Sequence, residues 1–72
     1  MRYREVERKL RRLGCTDLRR KGGGSHRKWI NPASPLKLVV SIPDWGSRDL
    51  KFGTLRAAVK DLGIEWDDFQ DS

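Results

Sequence analysis

Leu36 to Ile42 reads as a β-strand and limits what the rest of the chain can do. Leu36, Leu38, Val39, Val40 and Ile42 are large or β-branched, and Pro35 and Pro43 bound the run. A strand is stable only when paired and covered on at least one face. Two other segments read as extended and can serve as its partners. Cys15 to Lys21 alternates Cys15, Asp17 and Arg19 against Thr16, Leu18 and Arg20, and Ser25 to Asn31 carries Trp29 and Ile30. Gly22, Gly23 and Gly24 separate them, since three glycines are poorly held inside a strand. Asn31-Pro32-Ala33-Ser34-Pro35 reads as a loop.

Helical periodicity appears on both sides of this extended region. Tyr3, Val6, Leu10 and Leu13 mark one face of a helix from Arg2 to Leu13, with Lys9, Arg11 and Arg12 in its last turn and Gly14 as its left-handed stop. After an exit turn at Pro43-Asp44-Trp45-Gly46-Ser47, residues 48–52 lead into a second helix. There Leu55, Ala58, Val59 and Leu62 repeat on one face, Gly53 or Thr54 is the expected N-cap, and Gly63 ends it. The order helix, three antiparallel strands, helix predicts an α+β two-layer sandwich with both helices on one face of the sheet. The tail 64–72 is acidic, and Trp66 and Phe69, three residues apart, allow a short helical turn folded onto the body.

With 72 residues the chain has room for a single domain, 1–72, and one small core, of the kind that rarely gives more than roughly 3–5 kcal/mol of stability. The single cysteine, Cys15, has no internal disulfide partner and reads as a buried thiol. No Cys/His cluster is spaced for a structural metal, so neither metal nor cofactor is expected. No apolar run spans a bilayer, and a basic, disulfide-free domain suits the cytoplasm. Charge is unevenly placed. Residues 1–30 hold 11 Lys/Arg against 3 acids, whereas residues 31–72 hold 5 against 7. A chain of net charge +6 with its cations gathered at one end is suited to a polyanion, although a merely solvated surface has the same composition.

Chemistry points to Gly22-Gly23-Gly24-Ser25-His26-Arg27-Lys28. Glycine lets backbone N–H groups approach an anion, Ser25 adds a hydroxyl, and Lys21, Arg27 and Lys28 add cations on both sides of His26, the only histidine. An imidazole beside a bound phosphate can move protons near neutral pH. Cleaving RNA takes a base for the 2′-hydroxyl or an acid for the leaving 5′-oxygen, with positive charge on the pentavalent phosphate. One histidine and several cations meet that need, although a glycine run between strands is more often only a flexible hairpin. Trp29 reads as core rather than a base-stacking platform, and Trp45 as a turn residue more open to solvent. Arg8, Arg11 and Arg12 form either a phosphate-contacting helix face or a solvated one.

Two blocks carry a resemblance. Leu10-x-x-Leu13-Gly14, a basic strand and Gly24-Ser25-His26 come first; Leu50-Lys51-x-Gly53-Thr54-Leu55-Arg56 and Leu62-Gly63-Ile64 follow. In this order and spacing they resemble the HicA (YcfA-like) mRNA interferase toxins over nearly the whole chain. The resemblance implies a double-stranded-RNA-binding-domain-like fold, α1-β1-β2-β3-α2, and the toxin of a type II toxin–antitoxin system, monomeric when free. It implies a metal-independent endoribonuclease that cuts mRNA with His26 as catalytic residue, and a HicB-type antitoxin as partner. Arg19, Arg20, Lys21, Gly24, Ser25, Arg27 and Lys28 are the expected RNA-binding residues. Gly22 and Gly23 read as an insertion; Trp45 stands where the family often has histidine, and Phe52 where proline is common. The alternative is a non-catalytic RNA-binding module of the same fold.

Overall fold

The computed structural model describes residues 1–18 and 26–72. Arg19, Arg20, Lys21, Gly24 and Ser25, together with Gly22 and Gly23, lie outside the described residues.

Helix α1 spans Tyr3–Arg12 and buries Tyr3, Val6 and Leu10 of the expected face; Leu13, the fourth, is the C-cap and is only partly buried against the core. Its N-terminus is closed by Glu5, whose Oε1 accepts the Arg2 N–H at 3.4 Å. That contact is half of a capping box, because an arginine side chain has no acceptor for the return bond. The helix ends at Gly14 (φ +87°), where the Cys15 N–H donates to the Leu10 carbonyl at 2.9 Å and the Gly14 N–H to that of Arg11 at 3.1 Å. Only a residue that tolerates positive φ makes this closure without strain.

The sheet has the order β1-β2-β3, with β1 Thr16–Asp17, β2 His26–Ile30 and β3 Val39–Pro43, all antiparallel. Of the expected strand Cys15–Lys21, residues 15–18 are described; β1 covers Thr16–Asp17 of them, and the Leu18 N–H reaches the Lys28 carbonyl at 2.8 Å. β3 begins three residues later than expected. The Lys37 N–H turns back to the Ser34 carbonyl at 3.2 Å and Lys37 takes φ +45°, so Leu36 and Lys37 belong to a turn that apolar content could not reveal.

Helix α2 spans Phe52–Asp61 and buries Leu55, Ala58 and Val59, with Leu62 buried just past its end. Its N-cap is Lys51, not the expected Gly53 or Thr54. The Lys51 carbonyl accepts the Leu55 N–H at 3.0 Å, because the apolar face must begin on the core and this sets the helix start regardless of capping preference. Phe52 is therefore the first helical residue, the position where proline is favoured for its missing N–H and fixed φ. Lys51 is already extended (φ −62°, ψ 132°), as a residue before proline must be. Phe52→Pro is expected to leave stability within about 1 kcal/mol of the parent, since the lost ring contact with Trp66 and the stiffened unfolded chain nearly offset. A urea titration of both proteins measures the difference.

The short helix α3, Trp66–Gln70, folds the acidic tail back as a helical turn. Phe69 is fully buried, and the Lys9 Nζ donates to the carbonyls of Gln70 and Ser72 at 2.8 Å each. In cross-section the molecule is the expected α+β two-layer sandwich of the double-stranded-RNA-binding-domain type, with α3 added. Trp29, Val40 and Ile42 from the sheet pack with Tyr3, Val6, Leu10, Leu55 and Val59 from the helices. On the sheet's other face His26, Lys28, Val39 and Ser41 are exposed, and among the described residues no helix covers them.

One buried polar residue ties the loop to the helices. Asn31 donates from Nδ2 to the Leu62 carbonyl at the end of α2 (2.9 Å), and its Oδ1 accepts the Ala33 N–H (3.1 Å). Asn31→Ala leaves both partners short of a bond in a buried place, and is expected to cost about 1–3 kcal/mol. The urea midpoint reads the loss, and an unchanged midpoint would show that water replaces the side chain.

Candidate active face

Alternation along β2 divides the predicted site between two sides of the sheet. Side chains i and i+2 share a face, and residues directly opposite on neighbouring strands share it too. His26 and Lys28 are exposed, whereas Trp29 is buried and Arg27 is half-buried. His26 stands opposite Pro43, Lys28 opposite Ser41, and Ile30 between Val39 and Thr16. The open face therefore carries His26 and Lys28, about 7 Å apart by strand rise, with the Ser41 hydroxyl across from Lys28. An exposed imidazole, an ammonium and a hydroxyl on one flat surface can receive an extended phosphodiester chain and supply both a proton-transfer group and a positive charge.

Arg27 is not part of that surface. It stands opposite Ile42 on the helix-covered side, with its Nε 3.6 Å from the Asp44 Oδ2. Asp44 in turn accepts the Gly46 N–H through Oδ1 at 3.1 Å, so Arg27 braces the turn that holds Trp45. It also lines a cleft of about 370 Å³ with Arg2, Tyr3, Arg4, Glu7, Asp44, Gly46 and Ser47. Sequence neighbours His26 and Arg27 thus serve different surfaces. Ser41 was missed in the sequence because only the β2–β3 register places it beside Lys28; the exposed places in β3's alternation were the one available signal.

Trp29 is core, as its residue type suggested. It is fully buried, its Nε1 donates to the Tyr3 hydroxyl at 3.0 Å, and the Arg11 guanidinium lies 5.4 Å from its ring centre. Arg11 also pairs with Glu7 at 3.0 Å and Asp17 at 3.6 Å, so this arginine is engaged within the fold rather than held out for phosphate. Burial pushes the Tyr3 phenol above its usual range, partly countered by the hydrogen bond from Trp29. Burial likewise pushes the Cys15 thiol up, which keeps it protonated and poorly nucleophilic, as a structural thiol should be. Trp45, in its turn, is partly exposed.

A helix-covered three-stranded sheet with a histidine on its bare face defines a small basic α+β domain built to present one flat surface. Residues 3–64 match the family model described as HicA toxin of bacterial toxin-antitoxin. The chain belongs to the HicA toxin family: it is the toxin of a toxin–antitoxin system, and an antitoxin is its partner. Comparison with curated proteins and with solved structures gave no match. Among the described residues, no helix is long and apolar enough to cross a membrane.

Proposed function

We propose that this toxin is an endoribonuclease that cuts mRNA in the cytoplasm without a metal ion, with His26 as its catalytic residue. The observation that carries the reading is the exposed position of His26 at the start of β2, directly after Gly24-Ser25 in sequence and on one face with Lys28. In the reaction the 2′-oxygen bonds to the adjacent phosphorus and the P–O5′ bond breaks. The 2′-hydroxyl proton leaves and the 5′-oxygen gains one, so the products are a cyclic phosphate and a 5′-hydroxyl. His26 takes the first proton or gives the second. Lys28, with Lys21, Arg19, Arg20 and the Gly24-Ser25 backbone, holds the phosphate charge. Arg27 acts from the other side, by holding the turn beyond β3. A HicB-type antitoxin restrains a toxin that is monomeric when free.

Incubating the purified toxin with mRNA in EDTA tests this directly. Cuts ending in 5′-hydroxyl groups are expected. Salt-sensitive binding with intact RNA would instead make the chain a non-catalytic RNA-binding module.

A further inference from the structure

β3 is an edge strand, and among the described residues nothing pairs with its outer side. Edge strands in monomers are usually blunted by charge, proline or a bulge. Here Pro43 closes the strand at its last residue and Lys37 lies before it, which leaves Val39 to Ile42 uncharged and open. Among the described residues, three exposed apolar side chains gather at its start, apart from Phe52 and Trp45: Leu36 is 71% exposed, Val39 56% and Leu38 44%. Val39 shares the open face with Ile30 beside it, and His26 and Lys28 lie further along the same surface, within about 13 Å by strand rise.

We propose that this edge takes up a β-strand of the antitoxin, a partner of acidic character, which extends the sheet in its own plane beside β3. The inference rests on the family assignment for the existence of an antitoxin. Strand addition answers the unpaired backbone groups of β3, and Leu36, Leu38 and Val39 supply side-chain anchorage. Charge selects the occupant. The chain has net charge +6, and segment 36–43 holds one lysine and no acid. A second copy would set two strongly basic chains side by side, whereas an acidic partner gains from the same charge.

The test uses the toxin with His26→Ala in every arm, so that neither expression nor readout depends on cleavage, and the purified antitoxin of the same pair as probe. The double substitution Leu36→Glu/Val39→Glu is expected to weaken antitoxin binding about tenfold or more, since it removes apolar anchors and adds like charge. Amide exchange by NMR should show the outward-facing Val39 and Ser41 amides of the parent newly protected in the complex, and should show the double variant still folded. A folded variant that binds within about twofold of the parent overturns the proposal, as does protection confined to other surfaces. Self-association of the toxin alone, abolished by the substitution, would assign the edge to a second copy. An equal loss of RNA binding would assign it to RNA. Failure here leaves the His26 chemistry standing, and failure of the cleavage assay leaves this interface standing.

Discussion

Replacing His26 with alanine is expected to lower RNA cleavage by about 10²–10⁴-fold, the usual share of a positioned acid or base, while leaving the fold intact. His26 is exposed, so truncation opens no cavity in the core. Lys28 remains on the same face, so RNA binding in low salt should change little. The same variant should no longer arrest growth when expressed without antitoxin. Cleavage assays, a binding titration and a thermal melt on the one protein separate these effects. Growth arrest at matched expression would show that another group carries the chemistry. A melting temperature that fell with the activity would mean that the residue served the fold instead.

Trp29→Ala is expected to unfold the chain at room temperature. Trp29 sits at the centre of β2, opposite both Asp17 and Val40, and is fully buried. Truncating a buried tryptophan to alanine costs about 3–5 kcal/mol, comparable with all that a core of this size supplies. The change also removes the donor to the Tyr3 hydroxyl and the ring beneath Arg11. Trp29→Phe keeps most of the apolar volume and loses the N–H, so it should fold with a melting temperature lowered by several degrees, about 4–8 °C per kcal/mol in a domain of this length. Circular dichroism melts of both variants read the result. A cooperative melt of Trp29→Ala near the parent's temperature would show that this core is not the main source of stability.

These expectations differ in how much of each was legible in the sequence. The helix faces were, because Tyr3-Val6-Leu10-Leu13 and Leu55-Ala58-Val59-Leu62 repeat at a spacing that buries one side only, and all but the partly buried Leu13 are buried. Gly14 and Gly63 were legible as helix stops, and both take positive φ. Chain turns were less so. Leu36 and Leu38 have strand-forming side chains but lie before β3, since the turn from Ser34 to Lys37 depends on backbone bonds that residue type does not encode. The start of α2 escaped for a similar reason: Gly53 and Thr54 suit an N-cap, but the helix is capped at Lys51, before either of them.

Of the candidate site, the sequence by itself determined the group proposed to react and the kind of surface around it. A lone histidine after Gly24-Ser25, in a basic half of the chain, is a chemical fact that needs no coordinates. Tertiary structure decided which neighbours share its side. A strand sends successive side chains to opposite faces, and only pairing and the placement of the helices settle which face is covered. That is why Arg27, next to His26 in the chain, braces Asp44 on the covered side. It is also why Lys28 and Ser41, from two strands, meet on the open one.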